Sequence, residues 1–192
     1  LSIFISLYFA LGILVYILAS RAYSYRRIRL KKYPVIGFLT VFIFQGAVIF
    51  FLTYHAVHPD QVLTVPLLPC LIASLLIGAL YPLTQVYQHE EDRKDGVTTI
   101  SMLLGKKLSF VFSMILFLSA TFLLHLHFQH LDQRNHFIRY LLVMLPVVLF
   151  FLFWMVKVWK NESEANFKNS LLINVLSTIC TTIFFISLIA SH

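Results

Sequence analysis

Residues 35–54 read VIGFLTVFIFQGAVIFFLTY, twenty positions without a charged side chain. The hydrocarbon core of a bilayer is about 30 Å thick, and a helix that rises 1.5 Å per residue crosses it in about 20 residues. Polar breaks mark off five further stretches of similar length. The sequence therefore predicts six membrane helices, at residues 1–20, 35–54, 62–88, 108–128, 139–159 and 169–190.

The composition excludes an ordinary soluble domain. Hydrophobic residues fill 59% of the 192 positions and charged residues only 12%, whereas soluble domains carry about 25% charged residues. No alternation of polar and apolar residues typical of a transmembrane barrel is present. We therefore expect an all-α, polytopic transmembrane helical bundle that forms one domain over residues 1–192. Because Leu1 already lies in an apolar run without a basic segment before it, we expect this domain to be N-terminally truncated.

Basic side chains are concentrated on one predicted side of the membrane. Of the fifteen Lys and Arg residues, thirteen fall near the loops between helices one and two, three and four, and five and six; only Arg134 and Arg139 fall on the other side. The positive-inside rule predicts that these three loops are cytoplasmic and that the C-terminus is outside. Anionic lipid headgroups account for the net charge of +7 without a nucleic acid. We expect an integral protein of a bacterial inner membrane, with membrane lipids among its partners.

Four of the eight acidic residues lie within positions 90–95, at the cytoplasmic end of the third predicted helix. A mixed run of charges is usually a solvated turn, and that interpretation stays open here. If the helix continues through this segment, Gln85, Gln88 and Asp92 share one face, because they are spaced by three and four residues. Pro82 predicts a kink just before that face, since proline cannot donate a backbone hydrogen bond.

Two loop motifs resemble one known family. DRKDGVTTISMLLG, residues 92–105, fits D-x3-G-x2-T-(L/I)-x4-G and resembles the second aspartate-rich motif of the UbiA superfamily of intramembrane prenyltransferases. YSYRRIRLKKYP, residues 23–34, is similar to that family's Y-S-x3-(L/I)-R-L-K loop. The resemblance implies that this chain holds the last six of about nine family helices. The family's first motif, N-D-x2-D-x3-D, would then precede Leu1, and no Asp occurs in this chain before Asp60.

The resemblance implies a function. Family members transfer a polyprenyl group from a polyprenyl diphosphate to an aromatic or other lipophilic acceptor within the membrane, with Mg²⁺. Asp92 would supply a carboxylate to the metal, which prefers oxygen ligands. Tyr23, Arg29 and Lys31 would bind the diphosphate, Arg as a planar fork and Lys as a point charge. Neutralising the departing diphosphate is what breaking an allylic carbon–oxygen bond requires.

The acidic segment departs from the family pattern at two positions. The family's carboxylates seven and four residues before Asp92 are replaced by Gln85 and Gln88. An amide oxygen can bind Mg²⁺ but carries no charge. We expect Asp92, Gln88 and Gln85 to be the catalytic residues. The expected metal ligands are Asp92, Gln88 and Glu91, the last because it follows Gln88 by three residues.

Two other functions stay open at this point. One is a degenerate, non-catalytic homologue, because two negative charges are missing. The other is a cation-coupled membrane transporter, which would need polar residues to continue through the membrane beyond Tyr81; the preceding positions Gly78, Ile77 and Ser74 are small or apolar. If the metal site needs carboxylates from two separate helices, the 192-residue chain alone is expected to be inactive.

Overall fold

The computed structural model describes residues 2–58 and 64–190, and all regular structure in these ranges is helical. Six helices are long and apolar enough to cross a membrane. The predicted all-α polytopic bundle is confirmed. After a single turn at Ser2–Ile5, the membrane helices are α1 (Leu7–Ser24), α2 (Pro34–Val57), α3 (Leu67–Leu80), α5 (Ile100–His130), α6 (Arg134–Lys160) and α7 (Phe167–Ile189), with the short helix α4 (His89–Lys94) between α3 and α5.

The third predicted helix, residues 62–88, is longer than the helix that forms. Its first residues lie outside the described ranges, and the described helix α3 begins at Leu67. Its α-helical geometry ends at Leu80, and a 3₁₀ turn at Pro82–Thr84 follows. Pro82 lacks the N–H that would continue the hydrogen-bond ladder, and its ring crowds the preceding turn. The predicted break at Pro82 is thus a helix end.

The segment after Pro82 is a turn. Gln85 closes the 3₁₀ turn, Gln88 immediately precedes α4, and only Asp92 lies inside a helix. The backbone N–H of Gln88 donates to the Gln85 carbonyl at 2.9 Å, which tightens the reversal. The prediction that Gln85, Gln88 and Asp92 share one helical face is therefore wrong, because the turn divides them between two elements.

Helix α2 contacts α3 at very short range. Its middle section, Val41–Val48, is π-helical. A Cβ atom on Gly46 would lie 2.3 Å from the Cα atom of Ser74 on α3, so only glycine lets the two backbones meet here. Small residues are typical of such close contacts between membrane helices. This contact places the loop before α2 beside the segment that follows α3.

Helix α5 begins at Ile100 rather than at the predicted residue 108. The hydroxyl of Thr99 accepts a hydrogen bond from the Met102 N–H at 3.3 Å and so caps the first turn. Gly105 interrupts the helix with φ of 78°, a conformation that glycine adopts readily and other residues rarely do. The polar start of α5 therefore lies beyond the membrane span that hydrophobicity alone predicts.

The three basic loops lie on one face of the bundle. The Thr98 N–H donates to the Lys32 carbonyl at 3.3 Å and joins the first two loops. Lys106 Nζ donates to the Glu162 carbonyl at 3.1 Å and joins the second loop to the third. That third loop is held by Trp154, a fully buried side chain whose indole N–H donates to the Glu164 carbonyl at 2.8 Å. The predicted common side of these loops is confirmed; its cytoplasmic location stays a prediction.

Candidate functional site

The loop after α1 is tied to the end of α4 by an arginine. Arg29 Nη2 lies 2.6 Å from the Asp95 carboxylate, and Arg29 Nη1 donates to the Asp95 carbonyl at 3.3 Å. Arg29 itself has a φ of 46°, in the left-handed region that costs a side-chain-bearing residue free energy. Two hydrogen bonds to one acidic residue therefore hold the guanidinium in a fixed place at the loop interface.

The buried carboxylate of this interface belongs to Asp92. Only 6% of the residue is exposed, and the nearest cation is Lys31, whose Nζ lies 3.8 Å from Oδ1. Burial raises the pKa of the Asp92 carboxyl, and the attraction of Lys31 offsets part of that effect, while the Asp95 charge adds to it and Arg29 opposes it. A further cation bound beside Asp92 would stabilise the charged form of this buried carboxylate.

Two tyrosines join α1 to α3 next to Asp92. The hydroxyls of Tyr23 and Tyr81 are 2.6 Å apart, and the Asp92 carboxylate is within electrostatic reach of both. The amide of Gln85 lies beside the Tyr81 hydroxyl. Gln85 is 5% exposed, and its Oε1 has no hydrogen-bond partner among the described residues. An unpartnered buried amide oxygen is costly unless it binds a ligand.

The other two predicted metal ligands, Gln88 and Glu91, each bond a neighbouring group. Gln88 Nε2 donates to the Thr84 carbonyl at 2.9 Å and to the Tyr87 hydroxyl at 2.8 Å, so its amide holds the turn. The Glu91 carboxylate is exposed and lies 2.7 Å from Lys94 Nζ. The structure thus brings together the predicted residues Tyr23, Arg29, Lys31, Gln85 and Asp92, but it does not bring Glu91 to them.

Sequence reasoning missed Asp95 as a partner of Arg29. A signal was present, because Asp95 and Gly96 form an Asp-Gly pair, which favours a turn, and Gly96 has a φ of 65°. That turn directs the chain back toward the basic loop, so the Asp95 carboxylate meets Arg29 while most of its side chain stays exposed. The interface between the two loops therefore contains one more charged residue than the two predicted sets of site residues, namely Asp95.

His89 fixes α4 to α5. Its Nε2 lies 2.7 Å from the Ser101 hydroxyl, and Ser109 Oγ donates to the same hydroxyl at 3.2 Å. Burial lowers the pKa of His89, and the nearby Lys106 and Arg93 charges lower it further. The neutral ring is therefore the form that positions α4, and with it Asp92.

We expect the folded protein to lose stability as the pH falls through about 6.5, the ordinary pKa of histidine. Below that pH the unfolded chain protonates His89 while the folded chain resists protonation, so protons favour the unfolded state. Melting temperatures of the detergent-solubilised protein between pH 8 and pH 5 measure this. His89→Asn should flatten the pH dependence, because asparagine can bond Ser101 without titrating. An unchanged slope in that variant would contradict the assignment.

The residues fit part of a magnesium site. Mg²⁺ takes six oxygen ligands and usually combines one or two carboxylates with phosphate oxygens. Asp92 offers a buried carboxylate, and Gln85 offers an amide oxygen that nothing else in the described chain uses. Within residues 2–58 and 64–190 there is no group of three or more His, Cys, Asp or Glu side chains arranged for a metal. The two oxygens suit a metal whose remaining ligands come from the substrate.

One protein family matches the sequence of this chain over almost its whole length. The family model described as UbiA prenyltransferase family matches residues 1–188, which include both loop motifs, the first five membrane helices and all but the last residue of the sixth. No curated protein and no solved structure matches the chain. The resemblance indicated by the two loops is confirmed, and with it the class of membrane prenyltransferases. The chain belongs to the UbiA prenyltransferase family.

Proposed function

We propose that this protein transfers a polyprenyl group from a polyprenyl diphosphate to an aromatic or other lipophilic acceptor, in a Mg²⁺-dependent reaction at the basic face of the bundle. One observation carries the proposal: a buried carboxylate, Asp92, faces Lys31 at 3.8 Å, and an unpartnered amide oxygen, that of Gln85, belongs to the same cluster at the end of the membrane helices. Opposite charges held this close, at the mouth of an apolar bundle, suit a substrate with an anionic head and a hydrocarbon tail.

The basic residues would bind the diphosphate by exchanging partners. Lys31 faces Asp92 at 3.8 Å, longer than a direct charge-assisted hydrogen bond, so its ammonium is available to phosphate oxygens. Arg29 is already oriented by Asp95 and presents a planar fork that matches phosphate geometry. The two cations stabilise the negative charge that develops on the departing diphosphate.

Asp92 and Gln85 are the residues that would hold the metal. When bound, Mg²⁺ neutralises diphosphate charge and so makes it a better leaving group. Before substrate binds, Lys31 keeps the Asp92 carboxyl ionised, because its positive charge opposes the rise in pKa that burial causes. Gln85 contributes a neutral ligand, so this half of the site carries less negative charge than the three-carboxylate family pattern.

The tyrosine pair would orient the reacting end of the prenyl chain. The Tyr23 and Tyr81 hydroxyls satisfy each other at 2.6 Å, which leaves the aromatic faces free for apolar contact. Phe38 extends this wall, with its ring centroid 6.2 Å from that of Tyr81 and 5.3 Å from that of Phe112. Aromatic faces favour nearby positive charge, which suits an allylic centre that becomes cationic.

Binding of geranyl diphosphate tests the proposal. We expect the protein in nanodiscs to bind it at least about 10-fold more tightly with Mg²⁺ than with a chelator, the change that corresponds to about 1.4 kcal/mol. Geraniol, which lacks the diphosphate, serves as the control ligand and should show no Mg²⁺ dependence. Tight binding that is indifferent to Mg²⁺ would argue for a non-catalytic relative or a carrier.

We also propose that the basic face lies in the cytoplasm of a bacterial cell and that the C-terminus lies outside. The excess of Lys and Arg on that face supports this orientation. A cysteine at the exposed position Glu90 should react with an impermeant thiol reagent in inside-out vesicles and be protected in intact spheroplasts. Cysteine at Arg134, on the opposite end of the bundle, should give the reverse pattern. The opposite labelling at both positions would show that the basic face lies outside the cell.

A further inference from the structure

A groove between α1 and α2 carries polar side chains within the membrane span. Its wall includes Tyr16, Ser20 and Tyr23 of α1 and Thr40 and Gln45 of α2, around a cavity of about 20 Å³. A cavity of that size holds one water-sized group. Polar side chains at membrane depth are costly and tend to face a cavity or a partner. Tyr23 already bonds the Tyr81 hydroxyl, and Thr40 bonds the Ile36 carbonyl, so it is the other three polar side chains on the groove that indicate a ligand.

Three of these side chains make no hydrogen bond to any other described residue: Tyr16, Ser20 and Gln45. On α1, Tyr16, Ser20 and Tyr23 are spaced by four and three residues and therefore share one face. On α2, Gln45 lies in the π-helical section Val41–Val48. That helical form is rare and is found frequently at functional sites. Ser20 and Gln45 are exposed, and the unused donors and acceptors of the three side chains border the open groove from both helices.

The groove is continuous with the diphosphate cluster. Tyr23 lines the groove, and its hydroxyl also bonds Tyr81 at 2.6 Å, beside Asp92. Seven residues at 1.5 Å per residue place Tyr16 about 10 Å deeper along α1 than Tyr23. A molecule held in the groove would thus lie beside the Tyr23–Tyr81 pair, close to Asp92.

None of the residues that line the groove is charged. A carboxylate placed there would lose hydration without gaining a cation, which is strongly unfavourable. A neutral hydroxyl could form hydrogen bonds with the unused donors and acceptors of Tyr16, Ser20 and Gln45. We propose, on the basis of the prenyl-transfer function above, that the groove binds the polar end of the acceptor and selects a neutral hydroxyl head group over a carboxylate.

Binding of two matched probes tests this selection. 4-Pentylphenol and 4-pentylbenzoate differ in their head group, and binding to the full chain in nanodiscs is measured by ligand-observed NMR, with protein-free nanodiscs subtracted. We expect the phenol to bind at least about 10-fold more tightly. Gln45→Leu and Ser20→Ala should each weaken phenol binding by about 5- to 10-fold, as loss of one hydrogen bond does. Thr53→Val is the control, because the exposed Thr53 hydroxyl on α2 bonds the Ile49 carbonyl away from the groove.

Equal binding of the two probes, or phenol binding by Gln45→Leu at the strength of the unmodified protein, overturns the inference. A lower melting temperature in Gln45→Leu with unchanged phenol binding would assign the polar face to a helix contact, and it overturns the inference too. Mg²⁺-dependent binding of geranyl diphosphate to the same samples separates the two proposals. If that binding is absent, the acceptor role falls together with prenyl transfer; if it is present without discrimination between the probes, only the groove inference falls.

Discussion

Asp92→Asn is expected to lower prenyl transfer by at least about 100-fold, the loss of roughly 3 kcal/mol of transition-state stabilisation. Asp92 is the buried carboxylate of the cluster, and its replacement leaves the Gln85 amide oxygen as a neutral ligand. The amide of asparagine keeps the shape of the side chain, so folding should be preserved. The rate of product formation against Mg²⁺ concentration measures the effect.

Glu91→Gln is the matched control for that variant. It removes the same charge from the adjacent position, but the Glu91 carboxylate is exposed and paired with Lys94. We expect its activity to stay within about 2-fold of the unmodified enzyme, because exposed ion pairs contribute little. An inactive Glu91→Gln beside an active Asp92→Asn would show that the metal site lies on the other face of α4.

Lys31→Met is expected to raise the KM for the prenyl diphosphate by about 10- to 100-fold, because a hydrogen bond to a charged group contributes roughly 1.5–3 kcal/mol. The variant should also move the acid limb of the pH–rate profile to higher pH. Lys31 opposes the rise that burial causes in the pKa of the Asp92 carboxyl, so without Lys31 that pKa rises further and protonation begins at higher pH.

The control for this variant is Lys94→Met. Lys94 is a lysine in the same part of the structure, but it is exposed and pairs with Glu91. Neither the KM nor the pH profile should change in that variant. A higher KM without a shift of the acid limb would mean that Lys31 binds substrate but does not tune Asp92. A shift of the acid limb without a higher KM would mean that Lys31 tunes the pKa of Asp92 but does not bind substrate.

The six membrane helices could be predicted because long apolar runs leave the chain few alternatives in a bilayer. What hydrophobicity could not locate was the end of each helix. The start of α5 is polar and depends on the Thr99 cap, and the end of α3 depends on Pro82. The shared face of Gln85, Gln88 and Asp92 failed for the same reason, since residue spacing has helical meaning only where the helix is unbroken.

The candidate site was predictable as far as its motifs reach. Tyr23, Arg29, Lys31 and Asp92 follow from two loops with family spacing, and the structure brings them together. The Asp-Gly pair at Asp95 predicts a turn, but the partner of the Asp95 carboxylate could not be predicted, because it depends on how α2 packs on α3. The sequence likewise could not predict that the Gln85 amide oxygen would be buried without a partner, because the burial of a single atom depends on every neighbouring side chain.

The pairing of Arg29 with Asp95 also sets an order of events during biosynthesis. The two residues are separated by 66 positions in the chain, and ribosomes add about 5–20 residues per second. Several seconds therefore pass between the synthesis of Arg29 and that of Asp95, and α2 and α3 are synthesised within that time. A nascent chain that stalls within this interval carries the basic loop without the carboxylates that orient it.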